Sequence, residues 1–109
     1  MKRGEVWLVR LDPAVGSETQ KTRPGVIFSN DSANRHLPRI TIVPVTSNTS
    51  KLYAAEAAVS IEGRQGKAMC DQIRTLDKAR LIRQMGQLTT DELTRLETAL
   101  CVALALPLP

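Results

Sequence analysis

At 109 residues the chain is expected to form one domain, residues 1–109, and to bury a real but thin core, roughly 60–70% of its unfolded surface. Its 42% hydrophobic and 24% charged residues exclude a disordered or fibrous protein. The formal net charge of +4 is unevenly spread: residues 1–83 hold 14 Lys/Arg against 8 Asp/Glu, and residues 84–109 hold one against three. A basic body suits a polyanion, because phosphate contacts supply the sequence-independent part of nucleic-acid affinity.

The opening "MKRGEVWLVRLD" has no apolar run after its basic pair, so a secretory signal is not expected. "EVWLVRL" (5–11) is rich in β-formers and ends at the turn pair Asp12-Pro13. The polar loop "GSETQKTR" (16–23) then meets the strand "PGVIFSN" (24–30), where Pro24 pushes Arg23 toward extended geometry. "DSANRHLP" (31–38) reads as a loop or one helical turn. "RITIVPVT" (39–46) is a strand whose Pro44 implies an edge or a bulge.

In "YAAEAAVSI" (53–61) Tyr53, Ala55, Ala57, Val59 and Ile61 alternate on one face, as in a half-buried strand. "EGRQG" (62–66) reads as a turn and "KAMCDQIRTL" (67–76) as another strand. Asp77 is placed to cap a short helix, "KARLIRQM" (78–85), ended by Gly86. Thr89 and Glu92 have the spacing of a capping box, and Leu93, Leu96, Leu100 and Ala103/Leu104 form an apolar stripe on the helix that follows. About five short strands and then helix predict a small bent barrel. The closing "ALCVALALPLP" is too short to span a bilayer, so no membrane partner is expected and the cytoplasm is the expected compartment. Its surplus apolar residues predict either a dimer interface or a buried core helix.

Cys70 and Cys101 read as two buried thiols in a reducing compartment, although only geometry excludes a disulfide. One histidine and no CxxC pair give no zinc site, and the scattered acids have no metal-binding spacing, so no cofactor is expected. His36, in a loop beside Arg35, reads as a surface residue. No phosphate-loop, Gly-x-Ser-x-Gly or catalytic-cysteine context occurs.

Glu18, Lys21 and Arg23 each read alone as solvated charge, but two features join them into a site. Arg23-Pro24 roots a guanidinium at the head of a strand, where it can be aimed. "VPVTSN" (43–48) sets Thr46, Ser47 and Asn48 at the end of another strand. Strand ends meeting across a small barrel make a polar site with rigid backing. An arginine, an acid and a hydroxyl suit cleavage of RNA through its own 2′-OH, since the substrate then brings the nucleophile and arginine offers a fixed fork of donors to phosphate oxygens.

The ordered segments "KRGEVWLVRLDP…GSE…TRPGVIFSND", "ITIVPVTSN" and "DQIRTLDKARL" resemble the MazF/PemK family of toxin endoribonucleases, from Met1 to about Leu104. The resemblance implies a mostly β, SH3-like barrel of the MazF/CcdB type with a C-terminal helix, forming a homodimer. It implies metal-independent cleavage of single-stranded RNA (mRNA) at short sequences, and a cognate antitoxin whose flexible C-terminal segment covers the RNA groove. By position, Arg23 matches the family's catalytic arginine, Thr46 its catalytic threonine, and Glu18 an acid that either serves as general base or orients Arg23. Ser17, Gln20, Lys21, Ser47 and Asn48 become candidate substrate contacts, and Gln72 and Arg74, on "CDQIRT", further ones. Where the family often has glycine just before the arginine, this chain has Gln20, Lys21 and Thr22.

Two rivals are weaker. A topoisomerase-poisoning toxin of the same fold ends in Trp-Gly-Ile, whereas this chain stops at Leu-Pro-Leu-Pro. A non-catalytic nucleic-acid-binding barrel stacks bases on aromatics, and this chain has only Trp7, Phe28 and Tyr53.

Overall fold

A computed structural model describes residues 1–11 and 21–108. Seven strands and two helices follow one another: β1 (Glu5–Arg10), β2 (Thr22–Ile27), α1 (Asp31–His36), β3 (Arg39–Thr46), β4 (Glu56–Ile61), β5 (Arg64–Met69), β6 (Arg74–Asp77), β7 (Leu81–Gln87) and α2 (Thr90–Leu104). The antiparallel sheet runs β4-β5-β3-β2-β1-β7, with β6 also on β3. It curls into a half-barrel, so that β4 and β7, at opposite ends of the strand order, come into contact.

β3 is the spine of the sheet. Ile40 and Ile42 enter one apolar cluster with Val9, Leu11, Ile27 and Leu76. Val43 and Val45 enter the other, with Val6, Val26, Val59 and Leu96. Burial on both faces explains why "ITIVPV" reads as continuous apolar chain rather than as an alternation. Pro44 pairs with Gly25 on the β2 side. On the other side the partner changes there, from β6 (Ile42 opposite Arg74) to β5 (Thr46 opposite Lys67). The register slips by three residues across that gap, and a 3-10 turn, Cys70–Gln72, absorbs them. The irregularity expected at Pro44 is therefore real, and it divides the strand expected over 67–76 into β5 and β6.

α2 covers the second cluster. Thr89 Oγ1 accepts from the Glu92 amide at 3.1 Å, and Glu92 Oε1 accepts from the Thr89 amide at 2.9 Å. Leu96 is fully buried, worth about 2 kcal/mol of hydrophobic transfer. The helix ends at Leu104, where Ala105 turns left-handed and passes its amide back to Cys101 and Val102.

The helix expected over 78–85 does not form. Asp77 does cap, accepting from the Ala79 amide at 2.7 Å, but it caps only a 3-10 turn, Lys78–Arg80. Leu81–Gln87 is strand β7, laid along β1 with Leu8 opposite Arg83. An isolated eight-residue helix is marginal in water, whereas the open edge of β1 offers a full ladder, so tertiary pairing overrides local propensity. β4 starts three residues later than expected, leaving Tyr53 outside the strand and exposed, while Ala57, Val59 and Ile61 do share a buried face.

Candidate active site

Arg23 is the second residue of β2, opposite Val9, and is half-buried. The glycine of "RPG" keeps that strand close to its neighbours: a Cβ on Gly25 would sit 3.2 Å from Val9 Cγ2 and 3.3 Å from Ile42 Cδ1. Thr46 closes β3, half-buried, and its Oγ1 accepts from the Asn48 amide at 3.2 Å. Beneath it runs Gly66, where a Cβ would stand 3.1 Å from the Thr46 carbonyl oxygen and 3.0 Å from Val45 Cγ1. A side chain here would press β5 away from the end of β3 by a few tenths of an ångström, so glycine suits this close approach.

Antiparallel pairing puts the head of β2, the end of β3 and the tip of the β4–β5 hairpin at one rim of the half-barrel. A cleft of about 510 Å³ opens there. Thr22, Arg23 and Pro24 form one wall, Val45, Thr46 and Ser47 a second, and the hairpin residues Ile61, Glu62, Arg64, Gln65 and Gly66 a third, with Met85 of β7 closing it. The hairpin turns through Glu62 and Gly63 at φ +51° and +77°, the two-residue turn whose twist suits the flanking strands.

Glu62 is oriented by Arg83, whose Nη1 and Nη2 donate to Oε2 at 3.1 Å and Oε1 at 3.4 Å. That hydrogen bond, helped by the positive charge of Arg83 and Arg64 and opposed by slight burial, holds its carboxyl below the usual range. The cleft thus carries Arg23, Arg64, an ionised and fixed carboxylate, and the Thr46 hydroxyl.

The expectations meet this geometry unevenly. Arg23, Thr46 and Ser47 line one cleft. Asn48 lies beside it and organises the loop: its Oδ1 accepts from the amide and hydroxyl of Ser50 at 3.3 and 2.9 Å. Lys21 is exposed with φ +66°, its carbonyl accepting from the Leu11 amide at 2.7 Å. Gln72 and Arg74 are half-buried and outside the cleft lining, with Gln72 Nε2 directed at Met69 Sδ (3.5 Å) and Arg74 Nη1 at the Leu11 carbonyl (3.4 Å). Ser17, Glu18 and Gln20 lie outside the described residues. Among the described residues no three His, Cys, Asp or Glu side chains are grouped as metal ligands.

Sequence reading missed Glu62, Arg64 and Gln65, because "EGRQG" looks like an ordinary polar turn. What brings it to Arg23 is the Thr46–Lys67 pairing, which no local pattern announces. The two charges flanking its glycine were the one available signal. Both cysteines are free thiols. His36 is exposed, its Nδ1 2.9 Å from the Ser32 carbonyl oxygen.

The chain is similar to "Endoribonuclease MazF9" of Mycobacterium tuberculosis (strain ATCC 25618 / H37Rv), with 45% identity over 109 residues and 92% of each chain covered. It is 46% identical over 85 residues to "Endoribonuclease PemK" of Escherichia coli, covering 73% of this chain and 64% of that one. Among solved structures, an endoribonuclease in complex with its cognate antitoxin, from a mycobacterial species, matches with a TM-score of 0.83 at 29% identity over 100% of this chain and 99% of its own. MazF from Deinococcus radiodurans shares the fold, with a TM-score of 0.86 at 24% identity over 97% of both chains. The family model described as "PemK-like, MazF-like toxin of type II toxin-antitoxin system" matches residues 2–104, nearly the whole barrel and all of α2. The chain belongs to the PemK-like, MazF-like toxins of type II toxin–antitoxin systems.

Proposed function

We propose that this chain, a toxin endoribonuclease of that family, cleaves single-stranded RNA at short sequences in the Arg23–Thr46 cleft, with the RNA's own 2′-OH as nucleophile. The observation that carries the reading is the convergence of Arg23 from β2 and Thr46 from β3 on one cleft of about 510 Å³, within the size range of small-molecule sites.

The chemistry follows from the groups present. The 2′-oxygen attacks phosphorus, a P–O bond forms, and the bond to the 5′-oxygen breaks. Arg23 presents fixed donors to the non-bridging oxygens as their charge grows, an effect typically worth about 3–4 kcal/mol. Thr46 Oγ1 accepts from the Asn48 amide, which leaves its own O–H to donate to the same phosphoryl group. Glu18 is assigned either removal of the 2′-proton or orientation of Arg23; a positioned base contributes about 10²–10⁴-fold. Products carry a 2′,3′-cyclic phosphate and a free 5′-OH: the 2′-proton passes to Glu18 or, where Glu18 only orients Arg23, to solvent water, and water protonates the departing 5′-oxygen. No metal ion is assigned a step.

Ser47 at the cleft edge is a candidate RNA contact, and Ser17, Gln20, Lys21, Asn48, Gln72 and Arg74 are further candidates in this reading. The antitoxin in this reading lays a flexible C-terminal segment over the cleft, and two copies of the chain associate in the cytoplasm, where mRNA is the target. The exposed Val102, Leu104, Leu106 and Leu108 support the dimer, since they leave a stretch of exposed apolar side chains at and beyond the end of α2.

The test is an RNA oligonucleotide with one 2′-deoxy sugar just 5′ of the scissile bond. A 2′-OH held beside the phosphate has its geometry prepaid, and it is also what separates RNA from DNA. The substituted oligonucleotide should bind like the parent and stay intact. Cutting at that bond would make water the nucleophile and overturn the mechanism.

A further inference from the structure

Lys67 is buried, with 8% of its surface exposed, and it stands directly opposite Thr46 in the β3–β5 ladder. Its ammonium lies 3.0 Å from Glu56 Oε1, donates to the Lys51 carbonyl at 2.7 Å, and sits 5.3 Å from the centroid of the Tyr53 ring. Glu56 Oε1 also accepts from the Tyr53 amide at 2.9 Å, and the Glu56 amide donates to the Tyr53 carbonyl at 2.9 Å. These contacts grip one segment, Lys51–Tyr53, the far end of the loop that leaves β3 at Thr46 and returns at Glu56.

That loop borders the cleft. It begins with Ser47, which lines the cleft, and it roofs a second cavity of about 210 Å³ bounded by Thr49, Lys51, Leu52 and Lys67. Gln65 and Gly66 line both spaces, so the two adjoin. The loop is thus tied at its root by the Thr46–Lys67 pairing and at its far end by the side chain of that same Lys67.

A buried ion pair is a poor source of stability, since apolar replacements often do as well; in some proteins its role is to fix one arrangement of the groups it joins. We infer that the Lys67–Glu56 pair is a positioning device, which holds the Ser47–Ala55 loop at the cleft's edge so that RNA is bound in register with Arg23 and Thr46. Neither residue lines the Arg23–Thr46 cleft, so both act through the loop. The inference rests on the cleft being the RNA site.

The paired variant Lys67→Met with Glu56→Gln removes the charge pair without stranding a buried carboxylate, and the glutamine oxygen still accepts from the Tyr53 amide. Steady-state cleavage of an oligonucleotide, measured well below the melting temperature of every variant, should show KM raised about tenfold with kcat within about threefold, the signature of lost binding rather than lost chemistry. Hydrogen exchange of amides 48–55 should accelerate, with α2 unchanged. Lys67→Arg, which keeps a cation within reach of Glu56 and the Lys51 carbonyl, should restore wild-type KM and exchange. A folded paired variant with wild-type KM, or with unaltered loop exchange, overturns the inference. Arg23→Ala in the same assay separates the two readings: if it cuts normally the cleft is not the active site, and loop exchange alone then decides whether the pair holds the loop. If the paired variant fails to fold, Glu56→Gln alone is put through the same measurements, with the same direction expected and the same two results overturning it.

Discussion

Glu92 makes three hydrogen bonds, two within the cap of α2 and one that joins the helix to the sheet, and removing its carboxylate is the sharpest test of how the fold is held. Oε1 accepts from the Thr89 amide at 2.9 Å, Oε2 accepts from the Ser60 amide of β4 at 2.7 Å, and its own amide donates to Thr89 Oγ1 at 3.1 Å. The side chain is buried. Burial alone would raise its pKa, but the hydrogen bonds from Thr89 and Ser60, with the charge of Arg95, outweigh it and hold the carboxyl below its ordinary value.

Glu92→Ala leaves both amides without their acceptor. A lost capping interaction costs about 1 kcal/mol, and a part-buried donor stripped of a charged acceptor costs about 1–3 kcal/mol. The expected loss is therefore about 2–4 kcal/mol, a large share of the roughly 5–15 kcal/mol that holds a small domain folded. It should lower Tm by about 10–20 °C in a chain of this size. Urea unfolding followed by circular dichroism measures it directly, with the m-value unchanged. The pH dependence has a definite sign. Because the folded pKa lies below the unfolded value of about 4.3, the carboxylate's contribution is complete above that value and is lost as pH falls through the folded pKa. The gap between wild type and Glu92→Ala should be constant near neutrality and narrow below about pH 4.5. A loss under about 0.5 kcal/mol at pH 7, or a gap that does not narrow in acid, would refute this account of the joint.

Arg23→Ala should abolish RNA cleavage while changing stability by less than about 1 kcal/mol, and Thr46→Ala should lower the rate by a smaller factor of about 10²; single-turnover cleavage beside melting curves checks both. Cys70, buried and donating weakly to the Leu96 carbonyl at 3.8 Å, has its thiol pushed up to about 12 by burial and by the nearby Asp71 and Glu56 charges. In the native state it should stay unmodified by iodoacetamide while the more accessible Cys101 reacts, as mass spectrometry of the alkylated protein will show. Light scattering at micromolar concentration should return a dimer mass, and replacing Leu104 and Leu106 by serine should reduce it to a monomer if the exposed stretch is the interface.

What the sequence disclosed depended on how local each signal was. The Thr89–Glu92 box, the α2 stripe from Leu93 to Ala103 and the alternation of Ala57, Val59 and Ile61 are decided within one turn or one strand, and they stand in the structure; Leu104, read into the same stripe, is exposed where the helix ends. Pro44 announced an interruption without saying on which side, because a missing N–H is local while the change of partner from β6 to β5 is not. "KARLIRQM" failed for the same reason: its helical composition is local, and the β1 edge that claims it begins more than seventy residues upstream. In the site, Arg23 and Thr46 were legible because each is fastened to a strand terminus by its neighbours. Glu62, Arg64 and Gln65 were not, since their place depends on the register between β3 and β5.

That dependence explains how so small a domain can hold a site with precision. A thin core cannot rigidify long loops, yet Arg23, Thr46 and Gln65 are all strand residues, at or one position from the ends of β2, β3 and β5. Each inherits its position from a hydrogen-bonded neighbour, as Arg23 does from Val9 and Thr46 from Lys67. Gly25 and Gly66 draw those strands together where a side chain would hold them apart. Electrostatic stabilisation of a developing phosphorane charge depends on donors that need not reorganise during the reaction. In the proposed mechanism, placing the guanidinium and the hydroxyl on paired strands would meet that requirement with backbone geometry. On the proposed mechanism, sequence preference falls to the surrounding elements, the hairpin tip at Glu62 and the loop after Thr46, which can vary in side chain without moving the strands beneath them.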